Sequence, residues 1–202
     1  ERSPRIRLYP EPKRRVRWLT PEQAQHLLGE LPEHLAEMMR FSLATGLRQS
    51  NVARLEWSQV DVERRAAWIH ADQAKARRSI PVALNETAVA VLRRQAAKHP
   101  LFVFTYKGRP IRQVNTKAWR NALARAGIED FRWHDLRHTW ASWHVQAGTP
   151  VYELQELGGW ASAEMVRRYA HLAPGDLAKA AARIDAIGTN MATEVDDRAA
   201  AA

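Results

Sequence analysis

The sequence predicts a mainly helical α+β domain with a small antiparallel sheet at one edge, and three observations carry that expectation. Apolar residues recur at helical spacing, between recognisable caps and stops, over most of the chain. Short β-like runs are confined to one stretch between Gln59 and Val82. From His134 onward the pattern is helical almost throughout, with breaks at Gly148, Gly158-Gly159 and Pro174.

The first helix starts at Thr20-Pro21-Glu22-Gln23, where Thr20 can cap, Pro21 suits the first helical position and Gln23 completes a capping box. Ala24, Leu27, Leu28 and Leu31 then share one face. A second helix carries Leu35, Met38, Met39 and Leu43 and stops at Thr45-Gly46, since Gly accepts the left-handed conformation that closes a helix. Ser50 is expected to cap a short helix through Val52 and Leu55. Gln59–Asp61, Ala66–His70 and Ser79–Val82 read as three strands of one antiparallel sheet. Asn85 caps a helix bearing Ala88, Val89, Leu92 and Ala96 that ends before Pro100, and Asn115 precedes one through Trp119 and Leu123 that closes at Gly127. The remaining helices are expected at His134–Ala147, Val151–Leu157, Ala163–Ala170 and Gly175–Ile187.

A chain of 202 residues is long enough for one well-buried core with an appendage at each end. A hydrophobic content of 46% and eight Trp exclude wholesale disorder, while no run approaches the ~18 apolar residues of a membrane span. With no Cys, disulfides, thiolate metal sites and cysteine nucleophiles are excluded, and the usage fits a reducing cytoplasm. The excess of 31 Lys and Arg over 22 Asp and Glu, a net charge of +9, points to a polyanionic partner, because basic side chains that neutralise phosphates release condensed counterions. Glu1 to Trp18 is too charged for a signal peptide and does not begin with Met, as expected of a piece of a longer chain. Residues 1–17, with three Pro and the Lys13-Arg14-Arg15 cluster, read as an extended basic interdomain linker. Residues 18–188 then form the main domain, and 189–202, without a core pattern, a flexible C-terminal tail.

The densest chemistry lies in His134-Asp135-Leu136-Arg137-His138, which puts His134, Arg137 and His138 on one helical face. His at i and i+4 suits zinc, and the run differs from a zinc-protease HExxH by Asp for Glu, but a third ligand is not evident. A second reading has Arg137 gripping a phosphate with its planar fork while His134 handles a proton beside it. An ordinary amphipathic helix with basic surface residues would also produce the run.

Further segments, in order, resemble the boxes of the tyrosine recombinase, or phage integrase, family. Thr45-Gly46-Leu47-Arg48 followed by Leu55-Glu56-Trp57 looks like the first arginine box. Gln73-Ala74-Lys75-Ala76-Arg77-Arg78 looks like the β-hairpin lysine, and His134 to Thr139 like the HxxR box. Leu157-Gly158-Gly159-Trp160 looks like the segment that carries a His or Trp, and Arg167-Arg168-Tyr169-Ala170-His171-Leu172 like the nucleophile box. The resemblance spans about Trp18 to Leu172 and implies the catalytic-domain fold of this family of DNA breaking and rejoining enzymes.

The same resemblance implies the roles. Arg48 and Arg137 would stabilise charge on the phosphodiester, Lys75 would protonate the leaving 5′ oxygen, and Tyr169 would attack phosphorus to give a 3′-phosphotyrosyl bond. A free phenol, with a pKa of about 10, needs its proton drawn off, and His134 is the candidate for that task. Trp160 would donate its indole N–H to a phosphate oxygen or pack the nucleophile's helix, while His138 and His171 read as supporting or surface residues. Arg77, Arg78, Lys13, Arg14 and Arg15 are expected DNA phosphate contacts. Asn51 stands where many relatives carry an acidic residue, so a hydrogen bond near Arg48 is kept and a charge lost. No metal or other cofactor is implied, because the phosphotyrosine stores the energy of the cut bond.

The implied function is site-specific recombination, as in prophage or mobile-element integration and excision. The implied partner is double-stranded DNA, bound by a homotetramer on paired sites that is monomeric when free. The expected location is the bacterial cytoplasm at the nucleoid, without a membrane. A helix over 175–187 would dock on a neighbouring protomer. The competing classes are a catalytically silent DNA-binding module, a type IB topoisomerase-like relaxing enzyme and a zinc hydrolase.

Overall fold

The computed structural model describes residues 16–74, 77–173 and 181. The expected helix over 175–187, the tail, Lys13, Arg14, Arg15 and Lys75 therefore lie outside the described residues, apart from Ala181. The described elements run α1 (Pro21–Glu30), α2 (Glu33–Thr45), α3 (Gln49–Ala53), β1 (Val60–Asp61), β2 (Ala66–Ile69), β3 (Ile80–Ala83), α4 (Glu86–Gln95), β4 (Thr105–Tyr106), β5 (Arg109–Pro110), α5 (Lys117–Arg125), α6 (Asp135–Gln146), α7 (Val151–Gly158) and α8 (Glu164–Arg167). Short 3-10 turns occupy Trp57–Gln59 and Ala170–Leu172.

Local chemistry explains most boundaries. Thr20 Oγ1 accepts from the Gln23 N–H at 3.2 Å while Gln23 Oε1 accepts from the Thr20 N–H at 3.0 Å, the reciprocal box expected for α1. Asn85 Oδ1 accepts from the Ala88 N–H at 2.9 Å and caps α4. Two caps differ from expectation. Thr116, one residue after Asn115, accepts from the Trp119 N–H and starts α5, and α3 begins after Arg48, so Ser50 lies inside it and bonds to Asn51 Oδ1 instead. The helix expected over Ala163–Ala170 is a single turn of α8 followed by a tighter turn.

The three expected strands form one antiparallel sheet in the order β1-β2-β3, with Ala66 to Ile69 paired against Ala83 to Ile80. A second hairpin, β4–β5, was not expected. Its turn residues Lys107 and Gly108 both have positive φ, the backbone that matches the twist of paired strands.

Burial falls into two clusters. The larger gathers Leu27, Met38, Met39, Phe41, Leu92, Phe104 and Trp119 from α1, α2, α4, α5 and the connecting segments, together with the inner face of the sheet. The smaller contains Trp140, Ala141, Val145, Leu154, Val166 and Tyr169. Helix α6 joins them, with Leu136 in the first and Trp140, Ala141 and Val145 in the second, and it is buried on most of its circumference. The chain entering the domain is tied to this helix. The Leu19 N–H donates to Thr139 Oγ1 at 3.1 Å, and Trp143 Nε1 donates to the Leu19 carbonyl at 2.9 Å. Arg17 donates to the Glu129 carbonyl and Val16 packs on the smaller cluster, so the described end of the basic 1–17 segment is already docked.

Gly46 ends α2 at φ +63°, where its N–H donates to the Ser42 carbonyl. A Cβ at this position would overlap the Trp140 indole, so the glycine is required by backbone conformation and by close approach together. Gly46→Ala is expected to destabilise the domain by about 2–4 kcal/mol, measured as a lower urea midpoint with an unchanged m-value.

Candidate active site

Arg137 is the best-anchored residue of the site. Its side chain leaves α6 into the interior, where the residue is 5% exposed. Nη1 donates to the Gly46 carbonyl at 2.6 Å and Nη2 to the Gly158 carbonyl at 2.5 Å, so one guanidinium joins the end of α2 to the end of α7. Its carbon lies 4.1 Å from the centroid of the Trp160 ring, a stacked cation–π contact. Burial, and next the neighbouring Arg48, push its pKa down to about 10, so it stays charged at neutral pH.

Glycines make room for this packing. A Cβ on Gly158 would overlap the Trp160 ring, and Gly159, at φ +59°, closes α7 with its backbone against Ile80 of β3. That contact seats the sheet beside Trp160. The turn between β2 and β3 leaves from there, with Ala74 buried at one described end and Arg77 and Arg78 exposed at the other.

Arg48 follows Gly46 and Leu47 and precedes α3. Its Nη1 is buried and has no hydrogen-bond partner among the described residues. Asn51, three residues on, is 4% exposed; its Oδ1 accepts from Ser50 and its Nδ2 is also buried without a partner. Arg48 and Asn51 thus each keep hydrogen-bonding capacity to spare among the described residues.

Tyr169 is a core residue, 1% exposed, with its ring in the smaller apolar cluster. Its hydroxyl lies 2.5 Å from His138 Nδ1, and its ring centroid 6.2 Å from that of Trp160. Burial pushes the phenol up to about 12 against the opposing pull of Arg168 and Arg137. His138 is pushed down to about 4, first by burial and then by His134, Arg168 and Arg137. At neutral pH both partners of this contact are therefore uncharged.

A cavity of about 310 Å³ brings the pieces together, lined by Arg48, His134, Arg137, His138, Trp160, Arg168 and Tyr169. Five of the six residues expected to carry the chemistry share this space, and the sixth, Lys75, lies outside the described residues. An adjoining groove of about 660 Å³ shares His134, His138 and Arg168 and adds Arg17 and Arg132. His134 is exposed and stands edge-on to His138 at 5.2 Å between ring centroids. Sequence reasoning set His138 aside as supporting, yet His138 rather than His134 makes the direct contact with the Tyr169 hydroxyl. His171 is exposed, as expected. Among the described residues no group of three His, Cys, Asp or Glu side chains is placed to hold a metal ion.

Two guanidiniums and a phenol thus share one cavity, carried by helices around a small sheet. The phage integrase family matches residues 17–175, and the chain belongs to that family. It is 51% identical to the integrase of Salmonella phage P22 over 206 residues, covering 95% of this chain and 53% of that protein. It is 30% identical to tyrosine recombinase XerC of Ralstonia pickettii (strain 12J), covering 86% of this chain and 62% of that one. The solved catalytic domain of bacteriophage HP1 integrase matches with a TM-score of 0.65 and 28% identity, covering 82% of this chain and 94% of that domain. The chain spans about half the length of the curated phage relatives it matches.

The His138 shift has a consequence for stability. Its folded pKa, about 4, lies below the usual value of 6.5, so the unfolded chain binds more protons between those values. The contribution of neutral His138 is complete above pH 6.5 and is lost as pH falls toward 4, by about 2–3 kcal/mol. Denaturation midpoints across this range should fall less steeply for His138→Asn than for the wild type.

Proposed function

We propose that this domain cuts and rejoins double-stranded DNA at specific sites through a covalent bond to Tyr169, in the service of prophage or mobile-element integration and excision. The observation that carries the reading is the shared cavity of Arg48, Arg137 and Tyr169, with a buried Arg48 Nη1 that has no partner among the described residues.

The scissile phosphate would sit between Arg48 and Arg137, whose N–H groups neutralise the charge that grows on its non-bridging oxygens. Arg137 is oriented in advance by two carbonyls and the Trp160 face, so little reorganisation is needed as the charge develops. Tyr169 Oη attacks phosphorus and gives up its proton to His134, which lines the same cavity, the bond from phosphorus to the 5′ oxygen breaks, and Lys75 gives that oxygen a proton. A 5′ hydroxyl from another strand then reverses these steps, with its proton returning to Lys75 and the phenol regaining its own from His134. His134, exposed at the cavity mouth, is the group that takes and returns the phenol's proton. Trp160 holds Arg137 flat.

The exposed Arg77 and Arg78, with Lys13, Arg14 and Arg15, would contact phosphates beyond the cut. Residues 18–188 act as the catalytic domain, with 1–17 as its basic lead-in and 189–202 as a flexible tail. Four such domains would act on paired sites in the cytoplasm of a bacterium, each monomeric when free. No described helix is long and apolar enough to cross a membrane.

The test uses nicked suicide duplexes randomised across the core, with covalent products selected and resolved on denaturing gels. The wild type should form a protein–DNA adduct and Tyr169→Phe none; an adduct in both would move the nucleophile elsewhere. Lys75→Ala should cleave poorly on ordinary DNA and recover most of its rate on a duplex with a 5′-bridging sulfur, which leaves without a proton. Failure to recover would remove Lys75 as the acid.

A further inference from the structure

The geometry points to His138 as a positioning residue for Tyr169: its Nδ1 holds the phenol oxygen at a set place relative to the phosphate grip of Arg137. The inference rests on the proposed role of Tyr169 and adds a residue that the sequence motifs leave in the background.

Three observations support it. The distance from His138 Nδ1 to Tyr169 Oη is 2.5 Å, and it spans 31 residues of sequence, so it fixes tertiary structure rather than a local turn. His138 directly follows Arg137 on α6, a helix buried on most sides. The residue that fixes the nucleophile and the residue that holds the phosphate therefore share one rigid stretch of backbone, and their relative placement does not depend on a loop. The rest of Tyr169 is less firmly held: it follows the single turn of α8, and its ring touches the cluster through apolar packing alone. Apolar contact fills space without choosing where the oxygen points, whereas one directed hydrogen bond does.

With the phenol protonated and the imidazole neutral, the O–H donates to Nδ1 and the imidazole keeps its own proton on Nε2. In-line attack tolerates little misplacement, and an error of about 1 Å can cost about 100-fold in rate. His138 acts through Tyr169, as a neutral acceptor, and neither binds the phosphate nor carries the phenol's proton away.

Replacement by Asn separates this role from others, because an Asn amide reaches the place of Nδ1, bonds with the phenol and has no useful basicity. Single-turnover adduct formation at saturating nicked DNA should slow by about 10- to 100-fold in His138→Ala, with DNA affinity within about twofold of wild type. His138→Asn should recover most of the loss. In the free protein, the Tyr169 hydroxyl proton should give a downfield resonance, absent from Tyr169→Phe, lost in His138→Ala and retained in His138→Asn. This readout needs no DNA, and a thermal denaturation curve taken beside it shows whether each variant keeps its fold.

If His138→Ala forms adduct at the wild-type rate, positioning is overturned. If folded Asn and Ala variants lose equally, a proton acceptor is indicated and positioning is again overturned. If the wild type itself forms no adduct, the proposed reaction fails first, and the hydroxyl resonance still reports whether His138 holds the phenol.

Discussion

The site depends on one buried guanidinium. Arg137 spans from the carbonyl that ends α2 to the carbonyl that ends α7, and the surfaces that carry Arg48 and Trp160 are set by those two ends. A lysine could not take its place, since one ammonium lacks the planar fork that meets two separated carbonyls while stacking flat on an indole. The described hydrogen bonds of Arg137 go to neutral carbonyl oxygens, so its charge is oriented without being cancelled. A carboxylate partner would have cancelled that charge.

The glycines follow from this arrangement. Gly46 and Gly158 supply the carbonyls, and at each a side chain would strike an indole, Trp140 at one and Trp160 at the other. Close approach of backbone to aromatic face brings both acceptors within reach of a single side chain. Helix α6 completes the frame, because Arg137, His138 and Trp140 leave it in adjacent directions toward the carbonyls, the phenol and the second core cluster.

Features governed by local chemistry were legible in the sequence. Thr20 with Gln23, Asn85 before α4 and Gly46 after α2 act through bonds to residues within four positions, and each behaves as read. The motif residues Arg48, His134, Arg137, Trp160 and Tyr169 were legible through resemblance, and the structure gathers them around one cavity. What escaped did so for other reasons. The β4–β5 hairpin has strands of two residues, too short for a period to register. Ser50 competes between backbone and side-chain partners, and its neighbour Asn51 prevailed. The spacing in HDLRH puts His134 and His138 on one face, but which of them meets Tyr169 is decided by the fold-back of α7 and α8, information absent from the motif itself.

The burial that keeps the Tyr169 phenol protonated at rest also leaves the guanidinium charge of the cavity uncancelled. A phenolate in this cavity would be drawn to the Arg137 and Arg168 guanidiniums and would neutralise part of their charge. Desolvation outweighs that attraction: the phenol is pushed up to about 12 while Arg137, though lowered to about 10, remains a cation. The pair cannot neutralise itself near pH 7, and the guanidinium charge stays available. The accompanying contact of His138 with the phenol is neutral for the same reason, since a charged imidazole would add a third cation beside Arg137 and Arg168. Cations gathered around a protonated phenol are therefore the resting condition, and under the proposed function a phosphodiester would relieve their repulsion and meet the Tyr169 oxygen in the same step.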